Sequence, residues 1–185
     1  MHKIIIRFQL KNLIVIIFIH FLLSQNCIKG DCLDGYGEYI YEDGSIYKGY
    51  FYNGEKDGYG EFIFLDGRNY KGEFRNDEMF GIGSISFENG STYSGDFING
   101  LAHGYGLFIY SDGSEFEGDF LNGKENGQGQ LKLSNGSSYL GEFNNGSLNG
   151  LGEWIGNNGD KYMGNFENGK FQGQGSYYYS NGSFY

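Results

Sequence analysis

Tyr70-Lys71-Gly72-Glu73-Phe74, then Gly81-Ile82-Gly83, then Asn89-Gly90, decides how this chain folds, because the same pattern returns 23 residues later. There it reads Tyr93-Ser94-Gly95-Asp96-Phe97, Gly104-Tyr105-Gly106 and Asp112-Gly113. Working outward, an aromatic opens each unit at Tyr47, Tyr70, Tyr93, Phe116, Tyr139 and Tyr162, without one insertion. The first unit carries the same marks at Gly49, Phe51, Gly58 and Gly60. Asn holds one place in all six units: Asn53, Asn76, Asn99, Asn122, Asn145 and Asn168. Six periods in register define a repeat protein.

The physics of one unit is a β-hairpin. Tyr47, Gly49 and Phe51 alternate, so they share one face of a strand, and Gly58, Gly60, Phe62 and Phe64 do the same for a second. Asn53-Gly54 turns the chain within the hairpin, and Asp66-Gly67 turns it into the next unit. The glycines leave room that neighbouring rings fill. One hairpin alone is marginal, so stacking of units must supply the stability. The expectation is all-β: an elongated, twisted, single-layer antiparallel meander. Its six hairpins supply twelve strands and a body on the order of 60 Å long.

Composition agrees. The 185 residues include 34 Gly, 17 Tyr, 17 Phe and no Pro. So much Gly excludes a helix bundle, the aromatics exclude simple disorder, and the absence of Pro and of a three-residue period excludes collagen. All 23 acidic residues lie from Asp31 onward with 9 of the 13 basic ones, which leaves the body at 9 − 23 = −14. No nucleic acid is expected as a partner, and no electrostatic docking on anionic lipid, since both need clustered Lys and Arg.

Residues 1–32 read as a leader and 33–185 as the array, with a partial unit over 35–46. Lys3, Arg7 and Lys11 precede an uncharged run, Leu13 to Leu23, of signal-peptide rather than membrane-spanning length. An uncleaved signal anchor reading from Ile4 is the second reading. Both place the array on the non-cytoplasmic side, in the secretory pathway, outside the cell or anchored at a membrane. A membrane-associated cytoplasmic protein is the alternative. Cys27 and Cys32 either close a small disulfide or stay as free thiols. Asn89, Asn135, Asn145 and Asn181 each begin an Asn-Gly-Ser triplet, which fits N-glycosylation and fits tight turns equally.

Nothing in the pattern points to catalysis, a cofactor or a metal. His103 is the only histidine of the body and reads as a loop residue, and no helix follows the Gly-x-Gly pairs to make a phosphate cradle. Glu73, Asp96, Asp119 and Glu142 recur at one repeat position and read as a solvated acidic ladder. The face opposite the aromatics is less polar than solvent alone would select. It carries Tyr50, Tyr59, Ile63, Tyr105, Leu107, Ile109, Ile155 and Tyr178, with Ile82, Ile98 and Leu151. These form the candidate surface for binding other proteins.

The motifs resemble the MORN repeat, the membrane occupation and recognition nexus. The resemblance rests on the Tyr70–Phe74, Tyr93–Phe97 and Phe116–Phe120 segments, with His103-Gly104-Tyr105-Gly106, and covers residues 35–185. It implies a scaffold, a dimerisation module or a membrane-proximal tether, and in some relatives a module beside a phosphatidylinositol phosphate kinase or methyltransferase domain. Asp77 departs from the Gly of Gly54 and Gly100, and Gly156 from the aromatic of Phe64. The last repeat, with Tyr177, Tyr178 and Tyr179 in a row, is expected to expose a bare edge that pairs two copies into a homodimer.

Overall fold

The computed structural model describes residues 26–185. The leader reading over residues 1–25 lies outside the described residues. One antiparallel sheet of 14 strands accounts for them, with strand order equal to sequence order. The strands are β1 (Cys27–Gly30), β2 (Gly35–Ile40), β3 (Ile46–Tyr52), β4 (Glu55–Ile63), β5 (Asn69–Arg75), β6 (Glu78–Ser86) and β7 (Thr92–Ile98). They continue as β8 (Leu101–Ile109), β9 (Glu115–Leu121), β10 (Lys124–Lys132), β11 (Ser138–Asn144), β12 (Ser147–Ile155), β13 (Lys161–Glu167) and β14 (Lys170–Tyr178). The meander expected from the repeat is therefore present, lengthened from twelve strands by β1 and β2. β1 lies in residues the sequence reading gives to the leader, and it pairs with β2 through Cys27↔Tyr39 and Gly30↔Gly37. A Cys27–Cys32 disulfide ties this first strand to the following turn and removes the free-thiol alternative.

Both turn types follow from their residues. Within hairpins, Asn53 and Gly54 have φ of 52° and 82°, the pair of positive values that a type I′ turn requires. Asp77 fills the Gly place at φ 68°. Between units, Asp66 Oδ1 accepts the Arg68 N–H at 3.1 Å, and Asn89 Oδ1 accepts the Ser91 N–H at 3.0 Å. The triplets at Asn135 and Asn181 make the same bond to Ser137 and Ser183. The fourth triplet begins the within-hairpin turn of its unit, with Asn145 and Gly146 at φ 50° and 83°, so all four glycosylation triplets are also turn formers, and all four Asn are exposed.

A single-layer sheet can bury residues only by folding its own rings over itself. Tyr47, Tyr70, Phe116 and Tyr139 are fully buried. Each ring meets the Phe of its own unit and of the next edge-to-face: Tyr47 lies 5.0 Å from Phe51 and 5.0 Å from Phe74. The chain of contacts runs on through Tyr70–Phe97, Tyr93–Phe120, Phe116–Phe143 and Tyr139–Phe166. Pairs of this geometry contribute about 0.5–1.5 kcal/mol each beyond area burial. The Tyr47 side chain lies over Gly49 and Gly60, where an added Cβ would meet its hydroxyl oxygen and a ring carbon respectively, each at 2.4 Å. The hydroxyl then reaches past the glycine and donates to the Tyr50 carbonyl at 2.9 Å. Burial pushes the Tyr93 and Tyr139 phenols up to about 12 and raises those of Tyr47 and Tyr70 as well.

Three expectations are corrected here. Phe64 sits just past β4 in the inter-unit turn, where its N–H bonds the Arg68 carbonyl, so it is not a strand residue. His103 lies within β8 opposite Asp96, not in a loop. The end of the array is not bare along its whole length, because the Tyr185 and Tyr177 backbones exchange two hydrogen bonds of 2.8 Å. The last strand also starts on a charge, Lys170.

Candidate functional site

The two glycines of each Gly-x-Gly pair do different jobs, and the difference shapes the outer face. The pairing Gly72↔Gly83 is followed by Glu73↔Phe80, so β6 carries extra residues in a bulge around Gly81 and Ile82. Gly81 takes φ 62° and Gly104 φ 58°, a conformation that side-chain-bearing residues adopt only under strain. The residue after that glycine, Ile82 or Tyr105, is thrust outward by the bulge.

The acidic ladder braces this bulge. Asp96 Oδ2 accepts the Tyr105 N–H at 3.3 Å, Asp119 Oδ2 the Gln128 N–H at 2.9 Å, and Glu142 Oε1 the Leu151 N–H at 3.2 Å. Glu73 lies equally close to its bulge, since a Cβ at Gly81 would meet Glu73 Oε2 at 2.6 Å. The solvated-ladder reading is corrected to this extent: the carboxylates hold backbone while remaining at the surface. Among the described residues no group of three or more His, Cys, Asp or Glu is placed to hold a metal ion.

The predicted surface residues do share the outer face. Tyr36, Tyr50, Tyr59, Ile82 and Tyr105 are 50%, 53%, 62%, 69% and 57% exposed and form one row across β2 to β8. Cross-strand pairing sets that row: Tyr36↔Tyr50, Tyr59↔Glu73, Ile82↔Asp96 and Tyr105↔Asp119. Leu151, Ile155 and Tyr178 are exposed further along, whereas Ile63, Leu107 and Ile109 are only half-exposed. Tyr36, with its edge-to-face contact to Tyr50 at 5.6 Å, belongs to the surface but was missed by the sequence reading. It sits in the partial unit, yet Gly35-Tyr36-Gly37 matches Gly58-Tyr59-Gly60 and marks the same position. The Tyr105 hydroxyl donates to Glu117 Oε1 at 3.1 Å, and this bond raises its pKa above the ordinary phenol value.

The inner face holds two polar braces in an otherwise apolar wall. Lys56, 8% exposed, donates to Asp77 Oδ1 at 2.9 Å and to the Tyr41 hydroxyl at 3.3 Å. Its ammonium also lies 5.3 Å from the Tyr41 ring centroid. Three units on, Glu125 takes the same place and accepts a hydrogen bond from Tyr110. At Ala102, between them, the small side chain leaves an open pocket of about 210 Å³ lined by Met79, Phe87, Leu101 and Phe108.

The MORN repeat matches at residues 33–46, 47–67, 70–92, 93–115, 116–138, 139–161 and 162–184. The chain therefore belongs to the MORN-repeat family. None of the curated proteins matches it. Among solved structures it is similar to the TCP domain of Drosophila melanogaster SAS-4 (dCPAP), in complex with a proline-rich motif of Ana2 (dSTIL). The identity there is 13%, over 82% of this chain and 83% of that one, at a TM-score of 0.50. The wild-type TCP10 domain of Danio rerio CPAP is similar at 11% identity over 81% of this chain and 71% of that one, at a TM-score of 0.46. The SAS-4 likeness is one of fold alone.

Proposed function

We propose that this chain is a non-catalytic scaffold that holds other proteins along the outer face of its repeat array, on the non-cytoplasmic side of a membrane. The observation that carries the scaffold reading is the exposed row from Tyr36 to Tyr105. Five large apolar side chains in line are not what solvent exposure selects, and each is held outward by its strand or by the bulge that precedes it. The SAS-4 domain with its bound proline-rich motif supports the idea that such a meander accepts a peptide. The Cys27–Cys32 disulfide supports the extracytoplasmic part, because disulfides persist in oxidising compartments.

Pull-down with the full chain tests the scaffold. A set of proteins retained by the wild type should be lost from a Tyr59→Asp/Tyr105→Asp variant, and a set unchanged by the double substitution would overturn the reading. Fusing residues 1–32 to a reporter tests the compartment, where a wholly cytosolic reporter refutes translocation. In the full chain, a size shift on deglycosylation reports the same thing through Asn89, Asn135, Asn145 or Asn181.

A further inference from the structure

We infer that the outer row binds a proline-rich segment carrying Arg or Lys, held as a polyproline II helix running across the strands. The inference rests on the scaffold reading and names the chemistry of its partner. Spacing is the first argument. Tyr59, Ile82 and Tyr105 stand on β4, β6 and β8, so each anchor is two strands from the next. At about 4.8 Å per strand the anchors recur every ~9.6 Å. A polyproline II helix turns once in three residues at 3.1 Å each, so it presents one face every ~9.3 Å. An α-helix returns its face every ~5.4 Å and an extended strand every ~6.7 Å, so neither stays in phase over three anchors.

Charge is the second argument. Glu73, Asp96 and Asp119 alternate with Tyr59, Ile82 and Tyr105 along the row, and no Lys or Arg stands among them. Asp96 and Asp119 each use Oδ2 for a backbone N–H, and a carboxylate offers about four acceptor sites, so the same groups can receive a guanidinium or ammonium. Ring chemistry is the third. Proline rings dock on exposed aromatic faces, and a segment already fixed as polyproline II loses little entropy on binding. From Tyr36 on β2 to Tyr105 on β8 the row spans six strand spacings, about 29 Å, which suits a ligand of roughly nine to twelve residues.

The test measures fluorescence anisotropy with the full chain in mild non-ionic detergent. The probe is a labelled peptide of four Arg-Pro-Pro repeats. Two controls change one property each: four Arg-Gly-Gly repeats keep the charge without the helix, and four Glu-Pro-Pro repeats keep the helix with the opposite charge. Saturable binding of the first peptide is expected, with both controls weaker by about tenfold or more. Tyr59→Ala and Tyr105→Ala should each weaken it about tenfold, with the near-ultraviolet spectrum confirming an unchanged fold. Equal binding of the Arg-Gly-Gly peptide would overturn the inference, as would no binding at about 1 mM. A dimer in light scattering that Tyr105→Ala dissociates, and that excludes the peptide, would assign the row to a second copy instead. If the Arg-Pro-Pro peptide fails while Tyr59→Asp/Tyr105→Asp still strips proteins in the pull-down, the scaffold stands and this inference falls. If neither experiment responds, both fall.

Discussion

The two faces of the sheet are made from the same strands but obey different rules. On the inner face one position reads Tyr47, Tyr70, Tyr93, Phe116, Tyr139, Tyr162, and another is Phe in every unit. On the outer face the residue after the bulge glycine reads Tyr59, Ile82, Tyr105, Gln128, Leu151, Gln174. The inner ring must fit over two glycines and meet two neighbouring Phe rings, and wherever it is Tyr its hydroxyl also reaches a carbonyl, so almost any change breaks several contacts. The outer residue meets solvent and is free to vary with what it touches. Packing fixes the repeat, and the surface between repeats is where one member differs from another.

The comparison breaks most completely with alkali. Tyr93 and Tyr139 are raised by burial to about 12 from the ordinary 10, so the neutral phenol is the form the fold prefers. A raised acid contributes stability that is whole below pH 10 and is lost as the pH passes through 12. Cooperative unfolding between those values is expected by circular dichroism, together with late phenolate absorbance. Unfolding complete below pH 10 would contradict the inner-face account.

Tyr93→Ala comes next. It opens a cavity between Phe97 and Phe120 and should cost about 3–5 kcal/mol in urea denaturation. A smaller effect is expected where the inner face departs from its own rule. Asp77→Gly relieves a strained φ but leaves the buried Lys56 ammonium without its carboxylate, and should destabilise by about 1–3 kcal/mol. Lys56→Met combined with Asp77→Gly restores the residues that Met79 and Gly100 supply one unit on, and should be at least as stable as the wild type. A double-mutant cycle measures the coupling; additive effects would mean the pair is incidental. The smallest effect belongs to the outer face, where Tyr105→Ser should stay within about 0.5 kcal/mol. A large loss there would show that the outer row serves the fold.

Much of this was legible because its causes are local. The period gave the strands, Asn53-Gly54 and Asp66-Gly67 gave the turns, and alternation assigned Tyr50, Tyr59 and Tyr105 to the outer face. What stayed hidden depends on pairing register. Gly58 and Gly60 look alike in sequence, yet the first bends a bulge and the second lies beneath a ring. Asp96 brackets the N–H of Tyr105 only because the bulge brings that group opposite it. Lys56 and Asp77 are 21 residues apart, and their departures look unrelated until the hairpins stack. β1 escaped notice because Cys27–Gly30 carries none of the unit's marks; it belongs to the sheet through its pairing with β2.

Strand order equal to sequence order has a mechanical consequence. Tension applied between β1 and β14 pulls along the line of the inter-strand hydrogen bonds and loads them one strand at a time, as in a zipper. A sheet pulled along its strands would instead resist with all its bonds at once. Each hairpin that peels away frees 23 residues, up to about 80 Å of extended chain. A protein built this way lengthens in even steps under modest load and can restack each unit on its neighbour when the load is removed.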